Sequence, residues 1–410
     1  MPKSLRLVPR RQTEPAPVAT TALGSERIAT FIADTPDLET PFVVVDLQIV
    51  ADRYRQLAAA LPMADIFYAI KANPAPEILR LLVSLGSRFD VASPNEIDMC
   101  LAAGALPSQI SYGNTIKKQR DIQYAYDKGV RMFAFDCDAE LDKIVEVAPE
   151  ATVFCRITTD GGGADWPLSR KFGTTPAIAT ELLVAAAGKG LSVGVSFHVG
   201  SQQRDVQAWD KALAPVAAVF ARLKAEGITP ALVNLGGGFP GHYIDGIPAV
   251  DSYGEAIISA LRRHLGPELP QVIAEPGRYL VADAGVMEAE VVLVSRRSFE
   301  DDVRWVYIDA GIYNGLAEAQ GEAIKYRIET VYDGGPTGRV ALAGPTCDST
   351  DVIYECTHYE LPLALTAGDR IRLLSTGAYT TTYASVAFNG FAPLRGYYLP
   401  VEGEALAVES

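Results

Sequence analysis

Eight short runs of β-branched and aromatic residues recur along the first two thirds of the chain, and they limit its fold more than any other feature. The first five begin 21 or 22 residues apart and the last three about 40 apart, with amphipathic stretches between them that end in glycine. Strands and helices that alternate in this way are typical of a parallel sheet covered on its outer face. Eight units in roughly 220 residues favour a closed (β/α)8 barrel over an open, doubly wound sheet. The runs lie at 66–70, 88–92, 109–113, 131–135, 152–157, 193–197, 231–235 and 271–275.

The sequence after about residue 287 follows a different pattern. AEVVLVSRR, RWVYIDAG, RVALAG and DRIRLLST have the composition of strands, and turns such as DGGPTG separate them in place of long helices. This pattern predicts a second, mainly antiparallel β domain. The run PFVVVD at 41–46 precedes the barrel and could join either domain. We expect a flexible leader at 1–24, a barrel at 48–286, and a β domain made of 25–47 and 287–410.

The charge of the chain argues against several classes of partner. Of its 410 residues, 36 are Lys or Arg and 50 are Asp or Glu, which gives a net charge of −14. Nucleic acids and anionic membranes call for a basic surface, so neither partner is predicted. No apolar run approaches the roughly 18–20 residues of a membrane span, and we expect a cytoplasmic protein. The five scattered cysteines form no CxxC, so neither a disulfide framework nor a metal site is predicted.

Polar or glycine residues follow every predicted barrel strand, at the end where (β/α)8 barrels carry their chemistry. We expect them to line one pocket. Residues 236–241 match GxGxxG, but they follow the seventh run and include Pro240. A phosphate cradle of backbone N–H groups is therefore favoured over a dinucleotide site or a purely structural turn. The residues after the strands are Lys71, Asp90, Tyr112 with Asn114, Asp136, Arg156, His198, Gly236–Gly238, and Glu275 with Arg278.

Cys347 lies in GPTCDSTD, between two predicted strands and close to Asp348 and Asp351. Free cysteines in proteins are usually buried, and they pack as small apolar residues. The Gly-Pro turn and the two carboxylates argue against simple burial. Cys347 is therefore the cysteine for which we expect a chemical role.

Eight blocks of sequence occur in a consistent order over about residues 25–400. They are FYAIKANP, FDVASPNEI, YGNTIKK, SFHVGSQ, NLGGGFPG, AEPGRYLVADAG, GPTCDSTD and GAYTTTYASVAFNGF. Together they resemble the fold-type III pyridoxal-phosphate decarboxylases, above all the ornithine and lysine/ornithine decarboxylases. The resemblance implies an alanine-racemase-like barrel with a β domain, and pyridoxal 5′-phosphate as cofactor.

The resemblance also assigns roles to individual residues. Lys71 is expected to bond covalently to the cofactor, His198 to stack on its ring, and Glu275 to face its pyridine nitrogen. A racemase of this fold would carry arginine in place of this glutamate, so the resemblance favours decarboxylation. Asp90 and Arg156 are expected to orient Lys71 and His198. The residues expected around the phosphate are Ser201, Gly236, Gly237, Gly238, Gly277, Arg278 and Tyr379.

A homodimer with composite active sites is a further implication of the resemblance. The cysteine that matches Cys347 protonates the α-carbon after decarboxylation, so Cys347 is a third catalytic candidate beside Lys71 and His198. The acid that matches Asp348 contacts the distal ammonium of the substrate. Both reach the pocket from the other subunit, and Lys171 and Asp351 match positions that pair across the interface.

The expected reaction is decarboxylation of a basic L-amino acid, with L-ornithine giving putrescine for polyamine biosynthesis, or L-lysine giving cadaverine. Eukaryotic members hold the distal amine with the Asp of a Tyr-Asp pair, where this chain reads GLAEAQGEAI at 315–324. Glu322 is therefore the candidate substrate-binding residue, and Glu318 is the reserve. Diaminopimelate, arginine and carboxynorspermidine decarboxylases of the same fold are alternatives. A non-catalytic regulator is a remote one, because such relatives usually lose the lysine that Lys71 matches.

Overall fold

The structure is a computed structural model, and it describes residues 23–166 and 170–402. Most of the predicted leader at 1–24 lies outside the described residues. In chain order the strands are β1 (Phe42–Asp46), β2 (Ala64–Ala69), β3 (Arg88–Val91), β4 (Ile110–Tyr112), β5 (Met132–Phe135), β6 (Thr152–Arg156), β7 (Ala164–Trp166), β8 (Ser192–Ser196), β9 (Ser201–Gln203), β10 (Leu232–Asn234), β11 (Gln271–Ala274), β12 (Gly285–Ser295), β13 (Arg304–Ile308), β14 (Ile328–Thr330), β15 (Thr337–Ala343), β16 (Val352–Pro362), β17 (Arg370–Leu374) and β18 (Arg395–Leu399). The α-helices are α1 (Leu23–Asp34), α2 (Leu47–Ala60), α3 (Pro76–Ser84), α4 (Pro94–Ala102), α5 (Gln119–Asp127), α6 (Asp138–Val147), α7 (Pro176–Gly188), α8 (Ala208–Ala225), α9 (Val250–Leu265) and α10 (Arg278–Val281).

Eight parallel strands close into a barrel in the order β10, β11, β2, β3, β4, β5, β6 and β8, which confirms the predicted fold class. Each of the eight apolar runs in the sequence becomes one of these strands. Closure comes from pairing of β11 with β2, where Val272 aligns with Ala64. Alternate residues face the two sides of the barrel wall: Phe67 joins a small buried cluster with Phe154 and Ile273, whereas its neighbours on β2 pack in the main core.

The second sheet runs in the order β14, β17, β12, β13, β15 and β16, and β1 joins it beside β12 and β18. Its pairs are antiparallel except β13 with β15 and β1 with β18, so the predicted mainly antiparallel character is confirmed. The sequence alone allowed the run PFVVVD to join either domain. In the structure it forms β1 and pairs with the second sheet. The predicted strands omit β16, because the polar residues Glu355–His358 interrupt its apolar pattern.

Asp283, just before β12, ties the barrel to the second sheet. It accepts hydrogen bonds from the backbone N–H of His242 at 2.9 Å, from Arg53 at 2.8 Å, and from the Ser375 hydroxyl at 2.9 Å. Ser375 follows β17, so this cluster fixes the loop after that strand against the barrel. The same loop continues to Tyr379, whose N–H donates to the carbonyl of Ala72 at 2.8 Å, beside the end of β2.

Candidate active site

A pocket with an empty volume of about 440 Å³ lies at the C-terminal ends of the barrel strands. Residues that follow β2, β8, β10 and β11 meet there with Asp90, near the end of β3, and with Tyr379 from the second sheet's side. Every residue predicted to bind the cofactor lines the pocket except Gly236 and Arg156. The lining residues are Ala69, Lys71, Asp90, His198, Ser201, Gly237, Gly238, Phe239, Glu275, Gly277, Arg278 and Tyr379.

Two carboxyl groups, Asp90 and Glu275, face the same pocket as Lys71. Burial raises the pKa of both, and the charge of Glu275 raises that of Asp90 further. The positive charges of Lys71 and Arg156 act in the opposite direction on both acids. Glu275 accepts a hydrogen bond from the Asn234 side chain at 2.5 Å, whereas Oδ1 of Asp90 is buried without a partner. The pocket therefore has unmet capacity for a positively charged or N–H-bearing ligand.

His198 is held as a neutral ring. Burial lowers its pKa well below the ordinary value, and the neighbouring charges of Arg156 and Lys71 lower it further. Its Nδ1 accepts a hydrogen bond from the backbone N–H of Gly200 at 3.0 Å, which places the proton on Nε2. A neutral imidazole in this position can stack on an aromatic ligand without adding charge to it.

The glycine run after β10 brings bare backbone to the pocket. Gly236 and Gly238 have φ values of +64° and +107°, which residues with a side chain rarely adopt. A Cβ on Gly237 would lie 2.6 Å from the carbonyl oxygen of Glu275, and one on Gly238 would lie 2.6 Å from that of Gly200. Side chains are therefore excluded here, and this fits a cradle in which backbone approaches an anion closely.

Arg278 follows β11 at the start of α10 and is 3% exposed. Its two terminal nitrogens each donate to one oxygen of Glu318 at 2.6 Å. One of them also donates to the Tyr243 hydroxyl at 2.8 Å, and the other to Ser201 Oγ at 3.1 Å. Glu318, the reserve candidate for substrate binding, is thus bound to Arg278.

The structure does not place the other predicted substrate residues in this pocket within one chain. Cys347 is exposed, and its N–H donates to Asn389 Oδ1 at 3.1 Å. Asp348 accepts a hydrogen bond from the Tyr313 hydroxyl at 2.9 Å. The carboxylate of Glu322 does not line the pocket, and it accepts hydrogen bonds from three successive backbone N–H groups and one hydroxyl on β16. These four hydrogen bonds come from Glu355, Cys356 and Thr357.

Asn234, Tyr243 and the role of Glu318 are absent from the sequence prediction. Asn234 ends β10 two residues before the glycine run, and this position at a strand end was the available signal. Tyr243 and Glu318 reach Arg278 from 35 and 40 residues away along the chain, and no local pattern marks such contacts. Asp351, predicted at a subunit interface, is buried and accepts hydrogen bonds from Ile312 and Thr346 of its own chain. Lys171 lies over the ring of Phe172.

Within residues 23–166 and 170–402, no three His, Cys, Asp or Glu side chains are grouped so that they could hold a metal ion. Over the same residues, no helix has both the length and the apolar character needed to cross a membrane.

Comparison with known proteins defines the family. Residues 47–282 match the family described as pyridoxal-dependent decarboxylase, pyridoxal binding domain. The chain is 35% identical to the lysine/ornithine decarboxylase of Selenomonas ruminantium over 357 residues, which cover 86% of this chain and 88% of that protein.

Two solved structures are also similar. A lysine/ornithine decarboxylase from Vibrio vulnificus complexed with putrescine has a TM-score of 0.81 and 30% identity, over 92% of this chain and 98% of that one. The arginine decarboxylase of Paramecium bursaria Chlorella virus has a TM-score of 0.82 and 28% identity, over 91% of this chain and 100% of that one. The resemblance seen in the sequence is thereby confirmed: the chain belongs to the pyridoxal-dependent decarboxylases, carboxy-lyases that use pyridoxal 5′-phosphate.

Proposed function

We propose that this enzyme decarboxylates a basic L-amino acid, with L-ornithine preferred and putrescine as product. The observation that carries the proposal is the meeting of Lys71 and the buried carboxyl of Glu275 in one pocket beside the glycine run. The names of the similar proteins support a basic substrate, since they include lysine/ornithine and arginine decarboxylases. A role in polyamine biosynthesis in the cytoplasm is part of the proposal.

The residues of the pocket fit pyridoxal phosphate. Lys71 would hold its aldehyde carbon, and Glu275 would face the ring nitrogen. The backbone of residues 236–238, where side chains are excluded, would receive the phosphate together with Ser201 and Arg278. When bound, this cofactor supplies an electron sink that accepts the electron pair left on the α-carbon as carbon dioxide departs.

The protein's own groups set the charges around that sink. Asn234 donates to Glu275 and stabilises its anionic form, which favours a protonated ring nitrogen next to it. His198 stays neutral and therefore does not repel such a nitrogen. The charge of Lys71 lowers the pKa of Asp90 and the charge of Arg156 lowers that of His198, so these groups lie close together, which supports the proposed orienting role.

We place Cys347 and Asp348 at the active site of the partner subunit in a homodimer. Hydrogen bonds from Thr350 and Tyr313 lower the pKa of Asp348, so this carboxylate is charged and suits an ammonium group. Around the loop that carries Cys347 and Asp348, exposed apolar side chains such as Val386 and Phe391 provide a surface that a second copy of the chain could cover. Cys347 would then act as the proton donor to the α-carbon, the role that the resemblance implies for it.

A substrate panel tests the proposal directly. The purified protein, saturated with pyridoxal phosphate, is given L-ornithine, L-lysine, L-arginine or meso-diaminopimelate, and the amine and carbon dioxide released are measured. We expect the highest kcat/KM with L-ornithine and a lower value with L-lysine. A preference for arginine or diaminopimelate would refute the proposed substrate.

The Lys71→Ala variant separates an enzyme from a non-catalytic regulator. We expect it to remain folded, to lose covalently bound cofactor, and to release amine at less than about a thousandth of the wild-type rate, because the residue that holds the cofactor is gone. Lys118→Ala, which truncates an exposed lysine, is the matched control and should behave as wild type. Equal turnover in the Lys71→Ala and Lys118→Ala proteins would remove Lys71 from the mechanism.

A further inference from the structure

The partners of Arg278 occupy nearly all of its guanidinium. A guanidinium carries five N–H groups, two on each terminal nitrogen and one on Nε. Glu318, Tyr243 and Ser201 together accept four hydrogen bonds from the terminal nitrogens. Nε is buried and has no partner. The orientation of this arginine is thus set within the chain before any ligand binds.

Glu318 and Tyr243 hold the guanidinium from outside the pocket. Arg278 and Ser201 line the pocket, whereas Glu318 and Tyr243 do not, although both contact Arg278 directly. Glu318 is itself 6% exposed, so its carboxylate is a buried counter-charge and not a group presented to substrate.

The segment that carries Glu318 is anchored at its other end. Glu318 belongs to the segment Ala317–Glu322, in which two short 3-10 turns meet at a kink at Gln320 and Gly321, and this segment packs against β16. Glu322 at the end of this segment is bonded to the backbone of β16. Glu318 itself is held separately, because its carbonyl accepts a hydrogen bond from the N–H of the buried Ile324 at 3.0 Å. Two parallel bonds then restrict the guanidinium that is paired with its carboxylate.

We propose that Glu318 is a positioning residue for the cofactor's phosphate: it holds Arg278, and through it Ser201, in the arrangement that receives the phosphate. This inference rests on the proposed placement of the phosphate beside Arg278. An arginine that is ordered in advance loses less conformational freedom when its ligand binds, so affinity for the phosphate increases. Glu318 acts on the cofactor through Arg278 and does not bind the substrate.

The test compares pyridoxal phosphate with pyridoxal, which lacks the phosphate. Both carry the aldehyde that Lys71 would hold, so the ratio of their dissociation constants isolates the contribution of the phosphate. Glu318→Gln keeps the size of the side chain but cannot accept both bonds from Arg278. We expect the dissociation constant of pyridoxal phosphate to rise about tenfold, the size expected for losing one charged hydrogen bond, and that of pyridoxal to stay unchanged. Tyr243→Phe removes one acceptor and should shift the ratio in the same direction by less.

Glu322→Gln is the matched control, because it makes the same chemical change in the same segment without touching Arg278. The ratio of the two dissociation constants in Glu322→Gln should equal that of wild type. A ratio shifted as far as in Glu318→Gln would mean that loosening of the segment is the cause, and it would overturn the proposal. Equal losses for both aldehydes, an unchanged ratio, or tighter binding of pyridoxal phosphate in Glu318→Gln would also overturn it. If Glu318→Gln does not fold, the ratio in Tyr243→Phe decides. No amino acid is present in these titrations, so their outcome is independent of the substrate panel.

Discussion

Asp90 and Glu275 illustrate, at the scale of single residues, what the pocket lacks. Burial raises the pKa of both carboxyl groups; the Asn234 hydrogen bond opposes this effect at Glu275, and the charges of Lys71 and Arg156 oppose it at both acids. Both acids would therefore gain from a ligand that brings positive charge or N–H donors. A protonated ring nitrogen next to Glu275 is such a ligand. The acids and the cofactor thus stabilise each other's ionised forms.

Removal of the proposed proton donor should affect turnover without affecting cofactor binding. In Cys347→Ala we expect kcat to fall about a hundredfold, within the range for loss of a general acid, and the dissociation constant of pyridoxal phosphate to stay unchanged. Stopped-assay amine detection and a cofactor titration measure the two quantities. Cys356→Ala, which changes another exposed cysteine, should match wild type. Normal turnover in Cys347→Ala would assign this cysteine a structural role.

Residues directly after barrel strands could be predicted from the sequence, whereas the groups that support them could not. Lys71 and His198 follow recognisable strands, Asp90 lies near the end of one, and the barrel brings all strand ends to one face. The bond from Glu318 to Arg278 depends on how the second sheet sits on the barrel. A local sequence pattern contains no information about that contact, so Glu318 was assigned to the substrate instead.

At the scale of elements, the loop after β10 depends on glycine for both its backbone angles and its close contacts. In Gly238→Ala the new Cβ would lie 2.6 Å from the Gly200 carbonyl oxygen, and alanine rarely adopts the φ value of +107° found here. The backbone of the loop must therefore shift. We expect the free energy of unfolding to fall by about 3 kcal/mol, and pyridoxal phosphate binding to weaken. Urea denaturation and a cofactor titration check these effects. Gly246→Ala is the control because a Cβ there meets nothing within 4 Å, and a loss as large in this variant would contradict the explanation.

The Asp283 cluster makes part of the stability depend on pH. Burial alone would raise the pKa of Asp283, but the hydrogen bond and charge of His242 and the charge of Arg53 hold it below the usual range. The unfolded pKa is about 3.9, so this stabilisation is complete above that pH and is lost as the pH falls further. We expect Asp283→Asn to lower the free energy of unfolding by about 2 kcal/mol at pH 7.

The difference in the free energy of unfolding between wild type and Asp283→Asn should shrink as the pH falls below about 4. Parallel urea titrations at pH 7 and at pH 3 measure it, and the comparison cancels the many other carboxylates of the chain. A difference that is constant with pH would show that Asp283 contributes through shape and neutral hydrogen bonds alone.

The sequence predicted the barrel strands because each is a short, mostly apolar run that is buried on both faces. The second sheet is harder to predict, since one side of a strand such as β16 is polar and its run of apolar residues is broken. The short strands β14 and β18 likewise carry few buried residues. Their assignment depends on pairing with β17 and β1, which are distant in the sequence.

At the scale of the whole molecule, the proposed composite site predicts complementation between two inactive variants. Lys71→Ala and Cys347→Ala proteins are mixed, allowed to exchange subunits, and assayed. Random pairing makes about half of the dimers mixed, each with one intact site of two, so about a quarter of wild-type activity should return. Each variant exchanged with itself is the control and should stay inactive. If exchange is demonstrated by a subunit tag but no activity returns, Lys71 and Cys347 serve one site within one chain.

The place of β1 has a consequence for the growing chain. All five residues of β1 are buried, yet the strands that flank it, β12 and β18, are synthesised only after the whole barrel. During translation, an apolar strand therefore keeps both backbone edges open while the barrel beside it can already close. Open edges of this kind can pair with strands of other nascent chains. Synthesis of β18, which pairs with one edge of β1, is thus the step that allows both open edges to be covered, and closure of the barrel alone is not.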